Sequence, residues 1–161
     1  MDVFLFCLII VCLFIVFCVP GRKWIKDIEI NGIEFEKMRY SCNDRDTISI
    51  IGFIKKNTEI EGYPCKKGWV HFTKQWKLKL FCLSESAIVK NIPVPKGSWI
   101  IFSANNHCTT VVFPGNTSIQ GFPVRGCGGV KGIRTRFDQS GKLISFFPSK
   151  DFVSNNIQYK K

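Results

Sequence analysis

Two histidines in this chain lie close in sequence to a cysteine, a combination of residue types that can carry out nucleophilic catalysis. His107 stands directly before Cys108, and His71 follows Cys65 by six positions. A cysteine attacks as its thiolate, so an enzyme that uses one needs a nearby base and a group that orients the base. The sequence places no acidic residue to orient either histidine. We therefore interpret these residues as a turn histidine and structural thiols, and we predict that the chain is not an enzyme.

Residues 126–132 have the glycine content of a phosphate-binding loop. Such a loop needs a Gly-Lys-Ser/Thr sequence and a helix that begins behind it, and neither is indicated here. An insertion explains the segment better, because Gly121 and the next turn residue, Asn155, are 34 positions apart instead of 29 or 30. The sequence also has no CxxC pair and no Cys/His cluster at zinc spacing, so neither a metal nor another cofactor is expected.

The chain is strongly basic, with 23 lysines and arginines against 12 acidic residues and a net charge of +11. This charge favours anionic partners such as phospholipid headgroups, acidic glycans or nucleic acid. The charge is not concentrated in a lysine or arginine tract, so nucleic acid is not expected as a partner. The alternative interpretation is a solvated basic surface that only aids solubility.

After positive charge, the second feature that indicates a binding surface is the presence of tryptophans outside the expected core. Trp69 and Trp99 begin predicted strands and Trp76 falls in a loop, where a core does not require them. With nearby cations they form the candidate binding surface, which comprises Trp69, Trp76, Trp99, Lys74, Lys77, Lys79, Arg134 and Arg136. The alternative interpretation is that Trp69 and Trp99 pack in equivalent positions of the core.

The predicted strands and turns that hold these residues recur along the sequence at a nearly fixed spacing. Apolar residues flank four turn residues that lie 30, 29 and 30 positions apart, namely Gly32, Gly62, Asn91 and Gly121. Residues 153–157 open a fifth, clipped copy. A period of this size is typical of stacked repeats, in which neighbouring units complete one another's core.

The second unit shows what each repeat contains. Residues 58–65 alternate between polar and apolar side chains, 66–68 form a turn, and 69–72 and 78–83 are strands around the loop 73–77. In the fourth unit, strands at 133–137 and 142–146 flank the polar loop 138–141, a pattern typical of a hairpin. The first unit departs from this pattern, with Lys37-Met38 where the turn glycine is expected.

These patterns predict an all-β fold after one N-terminal apolar helix. The fold consists of stacked antiparallel β-hairpin repeats, about four units plus a partial fifth. Each unit supplies a hairpin and a connecting strand. Apart from the N-terminal apolar run, no window shows helical periodicity.

This hairpin pattern resembles the bacterial variant of the MORN repeat. In that repeat, an aromatic strand leads into a polar turn that ends in Asn-Gly or Ser-Gly, followed by Lys-Leu and a second strand. The best match is Phe137-Asp138-Gln139-Ser140-Gly141-Lys142-Leu143, and residues 72–78 and 102–108 are degraded copies. The resemblance covers most of residues 28–157. It implies an elongated antiparallel β-sheet array that serves as a scaffold, often at membranes, with no catalytic residues to transfer.

Three cysteines occupy positions that other repeats fill with apolar side chains. The equivalent residues are Phe35, Val94 and Val124 for Cys65, Phe72 and Phe102 for Cys42, and Val111 for Cys82 with its neighbour Leu83. We interpret these three cysteines as buried apolar residues instead of a disulfide framework. Thiols in such positions favour a reducing compartment. The state of Cys108 and Cys127 stays open, as does a single disulfide bridge.

Residues 3–19, which begin with Val3 and end with Val19, carry no charge and are rich in Phe, Ile, Leu and Val. As a helix this run is ~25 Å long at about 1.5 Å per residue, barely enough to cross a bilayer. A retained anchor, a cleaved signal peptide and a lipoprotein signal ending at Cys18 are the three interpretations. Basic residues follow the run and none precedes it, which favours the anchor.

The chain is therefore divided into residues 1–24, a membrane anchor or signal segment, and residues 25–161, the β-repeat domain. The expected location is a membrane crossed once, and the positive-inside rule puts the C-terminal domain on the cytoplasmic side. The predicted function is a non-enzymatic, membrane-tethered scaffold or binding module for anionic lipid or another protein. The alternative is a small exported effector or toxin with a cleaved signal peptide.

Overall fold

The computed structural model of the chain describes residues 23–42, 48–103, 109–154 and 157–159, with the backbone alone at 42 and 48. Every regular element in these ranges is a β-strand, which confirms the all-β prediction. The apolar helix predicted for residues 3–19 lies outside the described residues. Within the described ranges there is no helix with the length and apolar character needed to cross a bilayer.

Nine strands form one antiparallel sheet in which each strand pairs with the sheet strand before it and the one after it in the chain. Across the sheet they are β1 (Ile25–Ile30), β2 (Ile33–Cys42), β3 (Ile48–Ile54), β6 (Gly68–Thr73), β7 (Leu78–Cys82), β10 (Trp99–Phe102), β11 (Thr109–Val112), β14 (Thr135–Phe137) and β15 (Leu143–Ser145). The sheet is therefore a meander without crossover connections.

Short two-stranded hairpins interrupt the meander after every second sheet strand, beginning behind β3. They are formed by β4 (Thr58–Ile60) with β5 (Tyr63–Cys65), β8 (Ala87–Val89) with β9 (Ile92–Val94), β12 (Thr117–Ile119) with β13 (Phe122–Val124), and β16 (Phe152–Ser154) with β17 (Ile157–Tyr159). The connecting strand predicted for each unit was wrong, because residues 58–65 fold back at the predicted turn residue Gly62 and pair as β4 and β5.

Two consecutive residues with positive φ reverse the chain in this segment. Glu61 has φ 52° and Gly62 has φ 79°. The same pair of conformations recurs at Asn31-Gly32, Lys90-Asn91 and Gln120-Gly121. Positive φ at both central residues defines the type I′ turn, which joins antiparallel strands through a two-residue loop. The four turn residues predicted from the repeat are therefore all hairpin turns.

The first unit differs from the later ones because β2 is ten residues long. It combines the strand that returns from the Asn31-Gly32 turn with the sheet strand that follows. Later units separate these two strands at a linker such as Lys66-Lys67. A bulge between Phe35 and Lys37 takes the place of that linker, at the position where the sequence lacks the turn glycine.

One hydrophobic core lies between the sheet and the layer of hairpins. We call the sheet face that contributes Ile50, Phe72 and Ile100 to this core the inner face, and the opposite one the outer face. The hairpins contribute Cys65, Val94 and Val124 to the same core, each no more than 2% exposed. Phe72 and Phe102 are buried in it as well. Cys65, Val94 and Val124 therefore share one environment, as do Phe72 and Phe102.

Candidate functional site

Residues of the outer face can be identified from the strand register, because residues directly opposite each other share a face. One row of opposite residues crosses eight strands: Arg39, Ile51, His71, Leu80, Ile101, Thr110, Arg136 and Ser145. Apolar side chains hold the middle of the row, and an arginine stands near each end. The face opposite the core is therefore partly apolar and basic.

An aromatic row lies beside this one and consists of Phe53, Trp69 and Trp99. Trp69 is opposite Phe53 and two residues ahead of His71, so it projects from the outer face. Trp99 is opposite Val112 and two residues ahead of Ile101. The two tryptophans occupy equivalent positions near the starts of β6 and β10, but they lie outside the hydrophobic core. Trp69 is 37% exposed and Trp99 is half-buried.

Cations lie over the rings at one end of the aromatic row. The Lys37 Nζ atom is 5.5 Å from the centre of the Trp69 ring and 5.7 Å from that of Phe53. The Arg39 guanidinium lies 4.6 Å from the ring of Trp24, which itself contacts Trp69 at 5.6 Å between ring centres. Such cation–π contacts hold positive charge at an aromatic surface.

Sequence reasoning did not assign Trp24, Lys37, Arg39 and Phe53 to this surface. A signal for Phe53 was present in β3, whose sequence ISIIGFI has apolar residues at both odd and even positions. Such a strand places apolar side chains on both faces of a sheet. No comparable signal marks Trp24, because its place beside Trp69 depends on pairing between β1 and β2.

A cleft of about 520 Å³ opens on the outer face between Trp69 and Trp99. The tryptophans are separated by one intervening strand, a distance of about 10 Å. Three aromatic rings, two exposed lysines and two glycines are among the residues that line the cleft: Phe53, Trp69, Trp99, Lys66, Lys67, Gly128 and Gly129. The cleft therefore combines flat apolar walls with positive charge at its rim.

The glycine-rich segment 126–132 forms part of this cleft, and close packing explains its glycines. A Cβ atom at Gly126 would lie 2.1 Å from the carbonyl oxygen of Gly115, and one at Gly132 would lie 2.7 Å from a methyl group of Val112. The N–H of Gly128 donates to the carbonyl of Phe113 at 3.0 Å. The segment thus packs onto the end of β11, where larger side chains have no room.

The remaining predicted surface residues lie in other places. The Trp76 ring packs 5.5 Å from the ring of Phe72 and 6.4 Å from that of Phe35, next to the core. Lys74 is exposed in the loop between β6 and β7, at the opposite end of β6 from Trp69.

Lys77 and Lys79 line a separate hollow beside Tyr63 and Phe102. Arg136 lies on the outer face, and the exposed Arg134 precedes β14. Of the eight predicted residues, the strand register places Trp69, Trp99 and Arg136 on one face.

The pairing of Cys65 with His71 does not form a thiolate and its base. Cys65 lies in the core and His71 on the outer face, so the sheet separates them. Burial raises the pKa of the Cys65 thiol to about 12. Burial, aided by the charge of Lys79, lowers the pKa of His71. The second pairing, His107 with Cys108, lies outside the described residues.

The thiols of Cys65 and Cys82 are free and buried. Cys65 lies in the core as predicted, but Cys82 lies opposite Trp99 on the outer face, so its predicted equivalence with the core residue Val111 was wrong. Cys127 is free and exposed. The side chain of Cys42 lies outside the described part of the chain. Within that part, no three His, Cys, Asp or Glu side chains are grouped so that they could hold a metal ion.

The chain was compared with protein-family models, with curated proteins and with solved structures. No family model, no curated protein and no solved structure matches it.

Proposed function

We propose that the chain is a non-enzymatic, membrane-tethered binding module whose outer face engages an anionic partner or another protein. The observation that carries this proposal is the absence of acidic residues from the seven sheet strands from β3 to β15 inclusive. The outer face carries Lys37, Arg39 and Arg136, together with the partly exposed Trp69. Glu29 and Glu34 lie on this face only at its β1–β2 edge, and the rest of the face carries cations and aromatic rings without strand carboxylates, which suits an anionic ligand.

We further propose that the domain is an array of about four units with a partial fifth. Each of three hairpins is closed at its base by one hydrogen bond from a backbone N–H to a side-chain oxygen. The bonds run from Lys67 to Asn57 at 2.8 Å, from Lys96 to Ser86 at 3.1 Å, and from Gly126 to Asn116 at 3.2 Å. The acceptors are 29 and 30 positions apart, which supports the repeat. The resemblance to the bacterial MORN variant stays a prediction.

Two double charge reversals, one at the cleft and one away from it, test the binding face. The full chain in mild detergent is applied to immobilised heparin as wild type, as K66E/K67E and as K142E/K150E. Both variants change the net charge equally, but only the first pair lines the cleft between Trp69 and Trp99. We expect K66E/K67E to elute at clearly lower salt than K142E/K150E, because local charge governs contact with a polyanion. Equal elution of the two variants would count against the outer face as the binding surface.

The tether is tested separately by the mass of the native N-terminus and by extraction of membranes with alkaline carbonate. We expect an intact residue 1 and a chain that stays with the membrane pellet. A native chain that starts near Arg22 and is released by carbonate would replace this proposal with that of an exported protein.

A further inference from the structure

We propose that the anionic partner is the phospholipid surface of the membrane to which the chain is tethered. The outer face lies against the headgroups, with Trp69 and Trp99 at headgroup depth and Lys66 and Lys67 beside phosphate groups. This inference rests on the proposed function, since it requires both the tether and the basic outer face.

The path of the chain brings this face close to the bilayer. Four residues separate Val19, the last of the apolar run, from Trp24, and the five steps from Val19 to Trp24 span at most ~18 Å when fully extended. The Trp24 ring contacts the Trp69 ring at 5.6 Å between centres. The chain therefore enters the domain on its outer face. A tether this short keeps that face near the membrane surface.

The chemistry of the face fits the boundary between water and lipid. Tryptophan is enriched at that boundary, where an amphipathic ring contacts both headgroups and acyl chains. Lysines and arginines next to a membrane anchor bind anionic headgroups by charge. The cleft presents both kinds of group together, with Lys66 and Lys67 at its rim and Trp69 and Trp99 as walls. The sheet strands from β3 onward add no carboxylate that would repel phosphate.

The geometry of the sheet also favours an extended surface as the partner. Nine strands at a spacing of about 4.8 Å make a face roughly 38 Å wide. Arg39 and Arg136 lie toward opposite ends of one row on that face. Glu29 and Glu34 lie on the same face at its β1–β2 edge, so the acid-free part extends from β3 to β15. Seven strands without a carboxylate suit an extended anionic surface better than a small acidic ligand.

Quenching of single tryptophans tests the docked orientation in the full chain. W24F/W76F/W99F keeps Trp69 alone, and W24F/W69F/W99F keeps Trp76 alone. Each is reconstituted into phosphatidylcholine vesicles with or without phosphatidylglycerol, and brominated lipids serve as the quencher. We expect strong quenching of Trp69 only when phosphatidylglycerol is present, with reversal at high salt. Trp76 is the matched control, because its ring packs next to the core. Trp69 that is quenched no more than Trp76 would overturn the inference.

A second measurement needs no aromatic substitution. Lysines of the wild-type chain in the same vesicles are acylated and quantified by mass spectrometry. We expect anionic lipid to protect Lys66 and Lys67 several-fold, and to leave Lys90, in the turn between β8 and β9, unchanged. In K66Q/K67Q the ratio of docked to undocked chain should fall about 30-fold, the combined effect of two interfacial cations. Equal protection of Lys66, Lys67 and Lys90 would count against docking.

The two proposals fail in different ways. A carbonate-resistant chain that needs Lys66 and Lys67 to bind heparin, yet keeps Trp69 unquenched in anionic vesicles, overturns membrane docking alone. In that case a protein is the remaining class of partner. A released chain with a cleaved N-terminus removes the tether and the docked orientation together.

Discussion

A single glycine determines how the first two sheet units pack. Gly52 lies on the inner face of β3, and a Cβ atom there would be 2.5 Å from the ring of Phe35. The Phe35 ring extends across β3 towards Phe72, with 6.3 Å between ring centres. Equivalent positions in later units hold the smaller Val94 and Val124. The large aromatic residue of the first unit therefore requires a position without a side chain on the neighbouring strand.

We expect Gly52→Ala to lower the free energy of unfolding by about 1–3 kcal/mol, because an added methyl overpacks a filled core. Gly115→Ala is the matched control, since a Cβ there meets nothing within 4 Å and its φ is not positive. Chemical denaturation followed by circular dichroism measures both. In a Phe35→Val background the loss caused by Gly52→Ala should nearly vanish. A loss that persists in that background would show that Phe35 is not its cause.

Among the elements, the short hairpins rest on a hydrogen bond that the sequence pattern did not reveal. A side-chain oxygen ahead of each of three hairpins accepts from the backbone N–H two residues behind it, as Asn57 does from Lys67. Asn57, Ser86 and Asn116 are ordinary loop residues by type, and they share no single amino acid. What the three residues share is their position directly before a short hairpin. That shared position can be recognised only once residues 58–65 are known to fold back.

We expect Asn57→Ala and Asn116→Ala each to lower the free energy of unfolding by about 0.5–1.5 kcal/mol, the net worth of one hydrogen bond. Ser118→Ala, at an exposed position in β12 two residues beyond Asn116, should have almost no effect. Thermal and chemical denaturation of the three variants provides the comparison. An Asn116 variant as stable as the Ser118 variant would contradict a stabilising role for this bond.

At the scale of the whole molecule, the repeat could be predicted because its turns need unusual backbone conformations. Gly and Asn favour positive φ, so Gly32, Gly62, Asn91 and Gly121 revealed the period. The hairpin around residues 138–141 was predicted from alternating side chains on both sides of a polar loop that ends in glycine, and β14 and β15 confirm it. Alternating side chains could not show that residues 58–65 reverse, because both arms of a hairpin alternate alike.

The binding face was harder to predict, because side-chain direction in loops depends on tertiary packing. Trp76 was assigned to the surface from its place in a loop, yet its ring turns back towards the core. Trp69 and Trp99 were assigned correctly to strand starts, but their sequence did not show which face they occupy. Lys66 and Lys67 reach the cleft only through the linker between β5 and β6.

We expect protection from amide hydrogen exchange to be uneven across the sheet. The strands β6, β7 and β10 have paired neighbours on both sides, whereas β1 and β15 are the two edges. Edge strands open by local fluctuations, while central strands exchange mainly through global unfolding. Exchange followed by mass spectrometry should show the slowest amides in the central strands. Uniform protection from β1 to β15 would contradict this gradient.

The meander order of the sheet bears on how the protein is made. Each sheet strand pairs only with the sheet strands next to it in the chain, so no pairing has to wait for a distant segment. Short separations between partners reduce the entropy lost on closing each loop and favour rapid folding. Strands can therefore be added one after another as the nascent chain leaves the ribosome, starting from the edge nearest the N-terminus.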